Sequence, residues 1–390
     1  MHNSLIVIGG NHHNTLGLIR SLGREGVMSS VILHDNSENS YILLSKYITD
    51  YSIVRTEEEL INSLLSRKEE GGKKVVVTTS DYASSVVDRH RNIIDDFFFL
   101  PGCEEQGRLT RLMNKETMAK YAEECGLNIP KSSVLGKDCS CYSDISYPCI
   151  TKPLASIEGS KADIAICNTP LELMDYLKQS TAQRIQVQQF IKKTQEFQLI
   201  GVANHGEILI PGKSRILTQP LTTNTGFLHY EHLDGTEPIS QCVAFLKKTG
   251  YSGLFSIEFI RDTEGKDFFM EINFRNDGNA ICVTEAGTNL PFLWYQLCLN
   301  KIDSLFSIPP IDRELFVIPE YTEINLWYEG KISLIRMIRE FRQADCGMEY
   351  DPNDPAPTNG KFGIIRALIL NIAKKPIKDM IRLYKHLGRA

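Results

Sequence analysis

The stretch SIEFIRDTEGKDFFMEINFR, Ser256 to Arg275, decides how the chain is read. Two apolar-rich runs, Leu254 to Arg261 and Asp267 to Phe274, flank Thr263-Glu264-Gly265-Lys266, a pattern that predicts a β-hairpin. Folding about Glu264-Gly265 sets Glu258 opposite Glu271 and Ser256 opposite Asn273. Strand side chains alternate, so Phe255, Ile257, Phe259, Met270, Ile272 and Phe274 are expected on one face. Glu258, Glu271, Asn273 and Arg275 fall on the other. Like charges facing each other destabilise a strand pair, and two opposed glutamates beside an asparagine make physical sense with a cation between them. Hard oxygen donors of this kind suit Mg²⁺, which is held by one or two carboxylates together with nucleotide phosphates. The plainer alternative is a solvated face whose carboxylates are neutralised by Arg275 or Lys266.

Upstream, Leu5 to Ile8, the Gly9-Gly10 turn, a helix over Thr15 to Glu25 and the strand Val31 to Leu33 make a βαβ beginning. A helix over Glu57 to Lys68 and a strand over Lys74 to Thr78 extend it into a small parallel α/β domain ending near Pro101. Gly9-Gly10 lacks the spacing of a dinucleotide fingerprint and reads as a tight strand-to-helix turn. Glu104 to Gly126 is helical. Strands are expected over Tyr147 to Lys152, Ile164 to Cys167 and Gln186 to Ile191, with a short helix over Pro170 to Lys178. A hairpin of Glu196 to Ala203 and Glu207 to Ile210 turns at Asn204-His205-Gly206.

The 390 residues suit two or three packed subdomains, and a net charge of -5 gives no global attraction to nucleic acid. Ten scattered cysteines without a CxxC pair argue against structural zinc and disulfides, and place the protein in the cytoplasm. The start reads as a buried first strand and not a signal peptide, and no stretch is long enough to span a bilayer.

Glu271-Ile-Asn273-Phe-Arg275, preceded by Glu258 on the partner strand, resembles the metal-binding E-x-N-x-R signature of ATP-grasp enzymes. Other landmarks of that superfamily occur in order. Asn114-Lys115 followed by Gly126-Leu-Asn-Ile-Pro130 is similar to its first nucleotide-contacting lysine and G-x-P turn. Tyr147 to Pro153 is similar to the strand presenting a second lysine, Lys152, to the phosphates. Glu158-Gly159-Ser160-Lys161 stands where the glycine-rich flap belongs, with a single glycine. Gln188-Gln189-Phe190-Ile191 resembles the hinge whose backbone pairs with adenine, and Glu196 falls at the ribose-binding carboxylate.

The resemblance implies an α/β ATP-grasp fold in four parts. A parallel pre-ATP-grasp domain (1–103) is followed by a small subdomain (104–184) and a large one (185–300) that sandwich ATP, then by an extension (301–390). It also implies an ADP-forming ligase that joins a small-molecule carboxylate to an amine, with ATP and one or two Mg²⁺ ions, Mn²⁺ being a substitute. Glu258, Glu271 and Asn273 would hold the metal, and Lys115, Lys152 and Arg275 would clamp phosphoryl oxygens. The alternative function is a non-catalytic ATP-binding module of the same fold. Gly9-Gly10, Ile19-Arg20, Lys152-Pro153 with Ser156-Ile157-Glu158, and Asn289 to Trp294 are most similar to D-aspartate ligases, which act on cell-wall precursors.

Some readings stay open between site and surface. Lys213 and Arg215 share parity on a strand, which suits phosphate or substrate contacts as well as a solvated face. His12 and His13 line either the substrate cleft or an exposed loop. Residues 356–390 carry eight basic side chains against Asp379. This tail suits peripheral contact with an anionic inner membrane face, or packing on the body or at a homodimer interface.

Overall fold

The computed structural model describes residues 5–34, 40–69, 72–136, 145–153, 164–180, 184–218, 226–305, 308 and 311–359. The flap at 158–161 with Ser160, and the basic tail from 360 onward, lie outside them.

The first sheet contains β1 (Leu5–Gly9), β2 (Ser29–His34), β3 (Ile48–Val54), β4 (Lys74–Thr78) and β5 (Phe98–Phe99) in the order β3-β2-β1-β4-β5, all parallel. Leu5 to Ile8 are fully buried because helices cover both faces, which is why the run is continuously apolar. These helices are α1 (His13–Arg24), α2 (Glu57–Leu65), α3 (Asp81–Arg89) and the single turn α4 (Arg91–Ile94). The strand order reverses between β1 and β4, so their carboxyl ends open a crevice of the kind that takes ligands in such sheets. Gly9 is required there: a Cβ would lie 1.9 Å from Thr79 Oγ1.

The sequence expectation of one helix over 104–126 gives way to two, α5 (Arg108–Leu112) and α6 (Lys115–Glu124). Asn114 divides them, its Oδ1 accepting from the N–H groups of Glu116 and Thr117 at 3.1 Å, a side-chain cap that starts a new helix.

A four-stranded antiparallel sheet follows, made of β6 (Ser132–Gly136), β7 (Cys149–Pro153), β8 (Ala165–Cys167) and β9 (Arg184–Gln189) in the order β6-β9-β7-β8. One face packs on α7 (Pro170–Gln179), opened by the Thr169 cap, through Leu135, Cys149, Cys167, Leu173, Leu177, Ile185 and Val187.

The third sheet contains β10 (Lys193–Asn204), β11 (Glu207–Leu209), β12 (Lys213–Ile216), β13 (Leu228–Glu231), β14 (Gly253–Asp262), β15 (Asp267–Asn273), β16 (Leu315–Ile318) and β17 (Cys346–Gly347). Its order is β15-β14-β10-β12-β13-β16-β17, with β11 on β10. One face packs on α6 and α8 (Ile239–Thr249). The other meets α9 (Ile281–Glu285), α10 (Leu290–Cys298) and the first domain. Ending the large unit at residue 300 therefore cuts this sheet: β16 pairs with β13 through Leu228↔Val317, and the segment beyond 300 completes it.

After β16 come α11 (Glu320–Tyr328) and α12 (Leu334–Gln343). Between them Glu323 and Glu340 are buried against each other, and burial followed by the Glu340 carboxyl pushes Glu323 up to about 8. A carboxyl whose folded value lies above its unfolded one favours the native state below about 4.5 and loses that advantage as pH rises through about 8. Glu323→Gln, which keeps the neutral form at every pH, should therefore raise stability above pH 8 by roughly 1–3 kcal/mol and give no gain near pH 4. Thermal melts across that range check it.

Candidate functional site

The predicted hairpin forms as β14 and β15, with Glu258↔Glu271 and Ser256↔Asn273 in register. The register shifts between Glu258 and Phe259, so Phe259 pairs with Phe269. Strict alternation fails at this bulge: Phe269 takes the core position expected for Met270, and Met270 is only half-buried.

On the polar face the side chains form a chain of contacts. Glu258 Oε1 accepts from Asn273 Nδ2 at 3.1 Å and from Gln198 Nε2 at 3.3 Å. Gln198 Oε1 accepts from Asn279 Nδ2 at 2.7 Å. Asn273 Oδ1 accepts from Arg275 Nη2 at 3.1 Å. Burial, then the facing Glu271 carboxylate, raises the Glu258 carboxyl well above the ordinary carboxylate range. Glu196 lies on β10 two residues from Gln198, on the same face, and pairs with Lys193.

Arg275 fastens this face to the first domain. Its Nε donates to Asp81 Oδ1 at 2.8 Å, Nη1 donates to the Asn276 carbonyl at 3.0 Å, and Asp277 Oδ2 is 3.8 Å away. Burial opposes its charge, while Asp81 and Asp277 raise its pKa. The loop after Arg275 docks on the crevice between β1 and β4. Asn276 N–H donates to the Thr78 carbonyl at 3.1 Å. Asn14 Nδ2 donates to the carbonyls of Thr79 and Asn276 at 2.9 and 2.8 Å. The facing carboxylates are thus linked to the carboxyl ends of β1 and β4.

His12 is exposed, as a loop residue would be, whereas His13 is not. His12 Nδ1 accepts from Asn14 N–H and caps α1, while His13 is buried 3.8 Å from Glu349 Oε1, beside Gly278. Burial, then His12, lowers its pKa and keeps it neutral.

Lys213 is a correction. It opposes Leu199 in register, which places it on the α8 face, away from Glu258. There its buried ammonium donates at 2.6 Å to both Asp234 and Glu237, so it joins β12 to the segment leading into α8. Arg215 shares that face and pairs with Glu231 at 3.1 Å.

Lys115 is the first residue of α6, which packs on the apolar face of the large sheet through Met118. Lys152 pairs in register with Gln186 in β7. In the hinge segment Gln189 N–H donates to the Lys131 carbonyl at 2.8 Å and Phe190 N–H to the Pro148 carbonyl at 3.0 Å. Gln188 and Ile191 are buried.

The two facing carboxylates fit a hard divalent cation by donor chemistry. Among the described residues no three or more His, Cys, Asp or Glu side chains gather at one point. The donor set would be Glu258 and Glu271, with the Asn273 amide, whose Nδ2 donates to Glu258 and whose Oδ1 accepts from Arg275, adding its oxygen on turning over. Sequence reasoning missed Gln198, Asp81, Asn14 and Asn279. Of these only Gln198 carries a signal, its parity with Glu196.

No family model and no curated protein matches the chain. Solved structures do. L-amino acid ligase from Bacillus licheniformis is 16% identical with a TM-score of 0.63, over 81% of this chain and 79% of that one. N5-carboxyaminoimidazole synthetase from Staphylococcus aureus, complexed with ADP, is 14% identical with a TM-score of 0.64, over 84% and 85%. Biotin carboxylase from Campylobacter jejuni, in a β,γ-ATP complex, is 15% identical with a TM-score of 0.64, over 80% and 74%. At such identities the likeness carries architecture, and together with the three sheets and the paired carboxylates it leads to one conclusion: the chain has the ATP-grasp fold.

Proposed function

We propose that the protein is an ADP-forming ligase that activates a carboxylate as an acyl phosphate and couples it to an amine. The observation that carries this reading is the Glu258–Glu271 pair, tied through Asn273 and Arg275 to the crevice of the first domain. A carboxylate oxygen attacks the γ-phosphorus of ATP, the bond to the β-phosphate oxygen breaks, and ADP leaves. The amine nitrogen then attacks the acyl carbon, phosphate departs with the bonding electrons, and the nitrogen loses a proton.

Arg275, held by Asp81 and Asn273, presents a fixed positive charge where phosphoryl oxygens gather negative charge. Lys115 and Lys152 are proposed to clamp the phosphates, the 188–191 hinge to hold adenine, Glu196 the ribose, and Ser160 the flap side of the phosphates. Mg²⁺, or Mn²⁺ in its place, would be held by Glu258, Glu271 and Asn273 and would neutralise phosphate charge.

The proposed donor is an amino acid, a class supported by the L-amino acid ligase among the structural neighbours. Two of the residues that resemble D-aspartate ligases have architectural work. Arg20 is buried, with Nε donating to Asp354 at 3.0 Å, and Asn289 caps α10. A cell-wall acceptor therefore rests on resemblance alone.

The test is ADP release with Mg·ATP across amino acids and amine acceptors. ADP is expected only when both a carboxylate and an amine are present, with an amide in the product. Tight ATP binding without turnover across a broad acceptor panel would favour a non-catalytic nucleotide-binding module.

A further inference from the structure

Helix α12 is turned inside out. Leu334, Ile335, Met337, Ile338 and Phe341 recur at three- and four-residue spacing, the pattern of a helix that buries one apolar face. Yet Ile335 is 82% exposed, Leu334 47%, Ile338 40% and Phe341 37%, while Glu340 is buried at 3%. The side facing the protein is the one carrying Glu340 and Arg336, whose Nε donates to Glu340 at 2.9 Å, with Glu323 of α11 beneath. Arg339 and Arg342 are exposed and lie by helical angle beside Ile335 and Ile338. Its one acid, Glu340, faces inward, so the outer arc is apolar and basic.

We propose that α12 is an interfacial anchor whose Leu334, Ile335, Ile338 and Phe341 side chains enter an anionic lipid surface while Arg339 and Arg342 meet its headgroups. An apolar face beside arginines matches the chemistry of such a surface. Residues 360–390 hold eight basic side chains against Asp379, so in charge they do not complement Arg339 and Arg342. A second copy is disfavoured for the same reason, since a two-fold contact through α12 would bring arginine toward arginine. Ten residues make a helix of about 15 Å, short for a stable protein interface. Among the described residues no helix is long and apolar enough to cross a membrane, so the contact would be peripheral.

The test is cosedimentation of the full-length protein with phosphatidylcholine vesicles, with and without phosphatidylglycerol, at low and high salt. It needs no substrate, so its outcome is independent of the ligase reading. Wild type is expected to bind the anionic vesicles preferentially. The double substitution Ile335→Ser with Ile338→Ser should lower the bound fraction about tenfold or more with an unchanged melting temperature, because both side chains are exposed. Arg339→Gln with Arg342→Gln should weaken binding at low salt. Binding that survives loss of the isoleucines would assign attachment to the tail and overturn the proposal. So would wild type that binds no vesicle, or a solution dimer that the isoleucine substitutions dissociate.

Discussion

Glu271→Gln is expected to lower Mg²⁺-dependent ADP release by about 10³-fold or more while leaving the protein at least as stable as wild type without divalent ions. The activity loss corresponds to about 4 kcal/mol of transition-state stabilisation, the scale expected when a metal clamp on a transferring phosphoryl group is lost. The stability half follows from the geometry. Glu271 faces Glu258 directly across the strand pair, and burial with that facing charge already raises the Glu258 carboxyl. Removing one of two opposed charges relieves repulsion. Asn273→Ala should behave differently: it strips a hydrogen bond from Glu258 and another from Arg275, so it should cost about 1–2 kcal/mol of stability as well as activity. ADP-release assays and thermal melts with and without Mg²⁺ separate the two. Normal turnover in folded Glu271→Gln would remove the paired carboxylates from the reaction.

What could be read from sequence follows the reach of the forces involved. The β1 and β4 strands announce themselves because strands buried on both faces must be apolar throughout. That two glutamates oppose each other follows from alternation within fewer than twenty residues. The strands leave the turn as Arg261↔Asp267, one residue off a fold about Glu264-Gly265, and the bulge at Glu258/Phe259 restores the pair. That bulge is not legible, because one extra residue in a strand leaves composition unchanged while exchanging the faces of Phe269 and Met270. Lys213 shows the same limit at longer range. Its cage of Asp234 and Glu237 depends on which face of β12 meets the segment before α8, a fact set by sheet packing. The pairing of β16 with β13 joins residues almost ninety positions apart, and nothing near Leu315 in the chain signals it. The contact between Arg275 and Asp81 crosses 194 positions and is legible only once the two sheets are docked.

That contact is the basis of the second large effect: Arg275→Ala should lower kcat by about 10²–10³-fold, and Arg275→Lys should recover little of it. One guanidinium donates to Asp81 Oδ1, the Asn276 carbonyl and Asn273 Oδ1 through three different nitrogens. A lysine ammonium is a single point on a flexible stem and cannot hold those three acceptors in one plane, although its charge is the same. If Arg275 served only to join the two units, Asp81→Asn would reproduce the whole effect, because it removes the ionic partner on the first domain. If Arg275 also meets phosphoryl oxygens, Asp81→Asn should cost only about tenfold, with the arginine still in place but less firmly aimed. The two substitutions are then expected to separate in kcat while causing similar drops in melting temperature. Steady-state kinetics at saturating Mg·ATP, paired with melts of both proteins, decide it. Equal losses of kcat in Asp81→Asn and Arg275→Ala would make Arg275 a purely architectural residue.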